Sequence, residues 1–238
     1  MRKLSLQKDG KEIYTNGGWF RAAPPEGKSK QWVPCFSASE LADYFLRYKG
    51  TVPPEIDSYL TSIGTKANSF LAIPEYTTGL EKEGFGAGKA RQHDLLIKSL
   101  DREVVIGLEA KARETLDVYV TEKNISTENR KKRYIGLCEK LLGKRFEECT
   151  NIRYQLLSAA AGTLIEADKN GSDKAVLLIV LFNTPVVDKD HIELTKNDVR
   201  NFVNCLQSNK NGSYKTANFK AYIDLYIKLL VVDMDSYN

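Results

Sequence analysis

The sequence predicts an α/β (α+β) fold, with a central mixed β-sheet flanked by helices. Three stretches predict it. KAVLLIVLF (174–182) is continuously apolar, as a strand covered on both faces must be. HDLLIKSLDREVVIGLEAKA (93–112) holds two apolar runs separated by a few charged residues, the pattern of a hairpin. NIRYQLLSAAAGTLIEA (151–167), between the two, reads as a helix whose small-residue face suits close packing on a sheet. Helices alternating with strands in this way build a mixed sheet.

The remaining elements follow in chain order. GGWFRAAPPEGKSKQWVPCFSA is rich in Gly, Pro and aromatics and reads as irregular structure with short strands. SASELADYFLRYKG reads as a helix: Ser37 and Glu40 have capping-box spacing, Leu41, Phe45 and Leu46 share a face, and Gly50 ends it. PPEIDSYLTSIG reads as a second helix, with Pro54 in its first turn and Gly64 at its end. FLAIPEYTT (70–78) is a strand interrupted by Pro74, and 79–92 is a Gly-rich, mobile loop. Its G-x-G-x-G pattern lacks the Lys-Ser/Thr of a phosphate loop, because Lys89 is followed by Ala90. ENRKKRYIGLCEKLLGK (128–144) is an amphipathic helix stopped by Gly143. Thr195 and Asp198 have cap spacing before a helix in DVRNFVNCLQS, and FKAYIDLYIKLLVVD (219–233) is a last strand.

Composition narrows the function classes. Apolar residues make up 42% of the 238, with 12 Tyr and 9 Phe, enough for a sizeable core rather than a disordered chain. A net charge of 35 − 31 = +4 permits a nucleic-acid partner without requiring one. Four separated Cys and two His argue against a Cys/His zinc site and for reduced thiols, hence a cytoplasmic setting. No signal-peptide core is visible, and the longest apolar run is too short to span a bilayer, so no membrane partner is expected.

The hairpin carries the chemistry. With a two-residue turn at Asp101-Arg102, opposed residues have numbers summing to 203. Asp94 then faces Glu109 with Cβ atoms roughly 5 Å apart, and Lys111 lies on the same face. Leu95, Ile97, Val104, Ile106 and Leu108 form the other, apolar face. Two close carboxylates raise one another's pKa unless a cation lies between them. Asp94, Glu109 and the Ala110 carbonyl could supply half the oxygen shell of Mg²⁺ or Mn²⁺. Lys111 would then hold or deprotonate the attacking water and stabilise charge at phosphorus. A salt-bridge cluster at the strand ends would use the same residue types.

Asp94, then Glu109-Ala110-Lys111 across an apolar hairpin, followed by helices and a buried strand, resembles the PD-(D/E)XK nuclease superfamily, the restriction-endonuclease-like fold. The resemblance implies that Asp94 and Glu109 are metal ligands and Lys111 the catalytic lysine. His93 stands where many members have Pro. Several members carry a Gln on the helix after the hairpin, and Gln155 in RYQLL matches it. RYQLL with TLIEA also resembles a bacterial group within the superfamily, which implies the fold rather than the substrate. Many members take another acid from an N-terminal helix. Glu40 is that candidate, although its capping position also explains it, and Glu75 beside Pro74 is a second. The resemblance covers about residues 70–183, leaving 1–69 as an N-terminal helical and irregular extension and 184–238 as a C-terminal helix and strand. With no clear linker, the chain reads as one domain.

A divalent-metal-dependent nuclease is therefore expected, hydrolysing phosphodiester bonds, with DNA as its partner and a homodimer as one assembly. The alternative is a non-catalytic nucleic-acid- or protein-binding module on the same fold. Arg130-Lys131-Lys132-Arg133 and Arg153 are candidates for phosphate contacts, although one helix cannot turn the whole basic run in one direction. Trp19, Phe20 and Trp32 are candidates for base stacking. No sequence-specific DNA-reading motif is present in the sequence.

Overall fold

A computed structural model describes residues 1–86 and 88–234. Its strands are β1 (Lys3–Lys8), β2 (Lys11–Glu12), β3 (Ser69–Thr78), β4 (Arg91–Ser99), β5 (Val104–Lys111), β6 (Lys174–Asn183), β7 (Gln207–Ser208), β8 (Tyr214–Lys215) and β9 (Asp224–Asp233). Its helices are α1 (Asn16–Ala22), α2 (Ser37–Arg47), α3 (Pro54–Ser62), α4 (Glu128–Leu137), α5 (Tyr154–Asn170) and α6 (Lys189–Val203). One mixed sheet runs in the order β2-β1-β3-β4-β5-β6-β9-β8-β7. Its centre is an antiparallel meander, β3-β4-β5. β6 then runs parallel to β5, and β9 parallel to β6.

Both faces of the sheet are covered. Leu95, Ile97, Ile106, Leu108, Val176 and Val180 pack with Trp19, Leu41, Phe45, Ile56 and Leu60, which come from α1, α2 and α3. Leu96, Val105, Leu177 and Ile179 pack with α4, α5 and α6 through Tyr134, Leu156, Ala160 and Phe202. The mixed α/β architecture with a large central sheet is the expected one, and apolar burial on both faces is its main driving force. Among the described residues no helix is long and apolar enough to cross a membrane.

The hairpin has the anticipated register: Leu95 faces Leu108, Ile97 faces Ile106 and Lys98 faces Val105, each pair summing to 203. The turn is longer than expected. Residues 100–103 lie outside both strands, Arg102 takes a left-handed φ of 64°, and Ser99 Oγ accepts the Val104 N–H at 2.9 Å.

Several expectations are corrected. Residues 16–22 are helical rather than stranded, because Thr15 accepts the Gly18 N–H and Trp19 is buried. Ser37 does not cap α2: its hydroxyl bonds Glu114, while Glu40 reaches back to the Cys35 N–H at 2.6 Å. The helix at 128 ends at Leu137 and widens into a π turn, Cys138–Leu142, before Gly143. The carbonyls of Lys140 and Leu141 there accept from Asn218 and Ala217. α5 begins at Tyr154 rather than at 151. α6 begins at Lys189 behind an Asp188 cap, so Thr195 and Asp198 are buried within it. Pro74 does not interrupt β3, where it stays in register with Leu95. The loop before β4 is anchored by Phe85, fully buried and edge-on to Phe219 at 5.0 Å. Gly84, Gly86 and Gly88 there all have positive φ, which accounts for the G-x-G-x-G spacing; Ala87 lies outside the described residues.

Candidate active site

The catalytic candidates meet at the end of the meander. β3 and β4 change phase there. Glu75 adopts a left-handed φ of 48°, and just past it the side chains of Tyr76 and His93 turn toward α5. On the other side of the switch the two strands point Ala72, Leu95 and Ile97 to the opposite layer. Asp94 lies at this switch. Its Oδ2 accepts the Ala110 N–H at 2.7 Å, so the carboxylate is turned onto β5.

Glu109 is buried completely beneath α5. Its Oε2 accepts from Gln155 Nε2 at 2.8 Å. Its Oε1 lies against the Arg91 guanidinium, with His93 Nδ1 at 3.6 Å. Burial pushes this carboxyl upward, but Arg91 and His93 outweigh it and hold it at about 2. Burial lowers His93 below the ordinary imidazole value. Asp94 has the opposite balance: burial and the Glu109 charge raise it to about 6, against Lys111, Arg91 and the Ala110 N–H. Glu75 rises further, to about 8, through burial and the Asp94 charge. Gln92 Nε2 donates to its Oε2 at 2.6 Å.

Lys111 is only 6% exposed and, among the described residues, makes no ion pair or hydrogen bond. It lines a cavity of about 730 Å³ together with Asp94, Glu75, Arg91, Glu114 and Gln155. Its charge acts on Asp94, Glu109 and Glu114, and its donors, free of hydrogen bonds, suit a ligand of opposite charge.

Close approach of α5 brings Gln155 to Glu109. A Cβ on Gly107 would stand 2.1 Å from Thr163 Oγ1, and one on Gly162 would stand 2.7 Å from His93 Nε2. The His93 ring fills the space between these two glycines.

The structure thus brings Asp94, Glu109, Ala110, Lys111 and Gln155 together. It does not bring all the phosphate candidates with them. Arg153 is buried against Asp198 at 2.7 Å, donates to the Asp117 carbonyl and stacks on Tyr119. Arg133 borders the cavity, but its guanidinium holds the carbonyls of Phe85, Gly86 and Lys89. Lys131 and Lys132 are exposed on the outer side of α4, whereas Arg130 borders the cavity. Trp19 is 2% exposed and serves the core, and Phe20 packs on Trp32. Glu40 is occupied at the start of α2. Sequence reasoning missed Arg91 and undervalued Glu75. Alternation along β4 would not have found Arg91, because its side chain crosses strands to reach Glu109.

Among the described residues no three His, Cys, Asp or Glu side chains form a ready metal cage. A family model described as a domain of unknown function (DUF6946) matches residues 15–233. No curated protein and no solved structure matches the chain.

Proposed function

We propose that this chain, which belongs to the DUF6946 family, is a divalent-metal-dependent nuclease of restriction-endonuclease-like fold, acting on DNA phosphodiester bonds. The supporting observation is that Asp94 and Lys111 line one cavity, with Glu109 buried beside them and Gln155 donating to it from α5. The meander β3-β4-β5, followed by α5 and a strand parallel to β5, agrees with the reading.

The donor set fits Mg²⁺ or Mn²⁺. It is all oxygen, as hard cations require. Only one Asp94 oxygen is engaged by the protein. The raised Asp94 carboxyl marks negative charge that a cation would relieve. Asp94, Glu109 and the Ala110 carbonyl would hold the ion, and Arg91 would yield its place on Glu109 Oε1. A bound divalent ion polarises the phosphodiester and lowers the pKa of its water. Lys111 offers an ammonium to the negative charge that builds on the phosphoryl oxygens. Gln155 keeps Glu109 oriented. His93, enclosed between Gly107 and Gly162, positions the strand.

Cleavage of a labelled DNA in Mg²⁺ by the native chain and by Lys111→Ala tests this. Loss of roughly 100-fold or more in the variant is expected for a group acting at the transition state. Equal rates would remove the assignment. One observation favours a second reading, a non-catalytic binding module: Arg91 already neutralises Glu109 from within. That reading requires DNA binding without Lys111-dependent cleavage.

A further inference from the structure

We infer that the polynucleotide enters this site as a single strand, not as an intact duplex; the inference rests on the nuclease reading. The reacting groups are recessed. Glu109 is fully buried, out of reach of the cavity surface, and Lys111, which lines the cavity between α2 and α5, is 6% exposed. One wall comes from residues 19–41, including Gln31, Ser37 and Leu41. The opposite wall comes from Gly88 to Arg91 and from α4 through Asn129 and Arg130.

The two walls are tied across the mouth. Lys89 Nζ donates to both oxygens of Glu26 at 2.8 Å, and both side chains are largely exposed. The Lys89 segment is itself fixed, because Arg133 grips its carbonyl at 2.5 Å and those of Phe85 and Gly86. The opening is therefore framed on two sides. A duplex is stiff over about 50 nm and keeps its phosphates on the outside of a broad rod. It cannot dip one phosphate to the floor of a cavity of about 730 Å³. One flexible strand can, and such a volume suits a small number of nucleotides.

Charge sets a second condition. The cavity's cations are Lys89, Arg91, Lys111, Arg130 and Arg133. Its acids are Glu26, Glu75, Asp94, Glu114 and Asp117. With Glu75 raised to about 8 the cavity stays close to neutral, so an anionic strand gains its main attraction when divalent ions are present.

The test uses a fluorescein-labelled oligothymidine of about 15 nucleotides and a blunt duplex of equal length. Anisotropy is read in Ca²⁺ and in EDTA, and cleavage in Mg²⁺ with the native chain and Lys111→Ala. We expect the strand to bind roughly tenfold or more tightly than the duplex in Ca²⁺, to lose that binding in EDTA, and to be cut faster. A duplex bound and cut as well as the strand, with Lys111-dependent rates, would overturn the inference and leave the nuclease reading standing. Strand binding without Lys111-dependent cleavage would overturn the nuclease reading alone. Binding of neither DNA would overturn the inference.

Discussion

Single residues at the cavity wall carry opposing charge balances, and these can be separated by substitution. Asp94→Asn keeps an oxygen for the Ala110 N–H while removing a carboxyl that burial and Glu109 raise to about 6. At pH 8 the ionised acid costs stability, so the variant should melt higher by a few degrees, since roughly 1 kcal/mol shifts a chain of this size by 2–4 °C. Calorimetry with Mn²⁺ should show its binding lost. A collapse of the fold would mark Asp94 as structural. Glu75 gives a pH signature. Its folded value of about 8 exceeds the unfolded one, so the folded state holds the proton longer. Its stabilising contribution is complete at low pH and is lost as pH rises from about 4.5 to about 8. The difference in unfolding free energy between native chain and Glu75→Gln should therefore move against the native chain across that window. A flat difference would show that Glu75 is solvated.

At the scale of elements, α5 and the hairpin act as one unit because glycines let them touch. Gly162→Ala puts a methyl group 2.7 Å from His93 Nε2, and Gly107→Ala puts one 2.1 Å from Thr163 Oγ1. Each should cost about 1–3 kcal/mol in chemical denaturation. Lifting α5 also withdraws Gln155, leaving a Glu109 oxygen unpaired, so activity should fall further than in a remote variant of equal stability. The hairpin register was legible in the sequence, because Leu95, Ile97, Ile106 and Leu108 must point to one layer. The direction of the Asp94 carboxylate was not. It depends on the left-handed backbone at Glu75, on a neighbouring strand, and on an Ala110 N–H. α6 was misplaced for a simpler reason: Thr195 and Asp198 resemble a cap, but Ile192, Val199 and Phe202 extend the buried stripe upstream to Asp188.

Across the whole molecule, long-range pairs decide what sequence position alone left open. Arg153 stands two residues before Gln155, yet Asp198 of α6 and the Asp117 carbonyl claim it. Arg153→Ala leaves Asp198 buried without its cation, so a loss of about 3–5 kcal/mol is expected. DNA affinity, measured where the variant remains folded, should be unchanged. A selective loss of affinity would return Arg153 to the binding surface. The sheet and its two layers were foreseeable from apolar runs such as KAVLLIVLF, because burial on both faces leaves a local pattern. The cavity was not, because its walls come from residues 19–41, 75–94, 111–117, 127–133 and 154–158, which only the fold assembles.

The central claim is that Asp94 and Glu109 share a divalent cation. An anomalous-difference map from a crystal soaked in Mn²⁺ tests it most directly. The account requires a peak within about 2.0–2.6 Å of an oxygen from each carboxylate, with Arg91 displaced from Glu109 Oε1. Saturating Mn²⁺ with no peak there, and the Arg91–Glu109 pair intact, would contradict it.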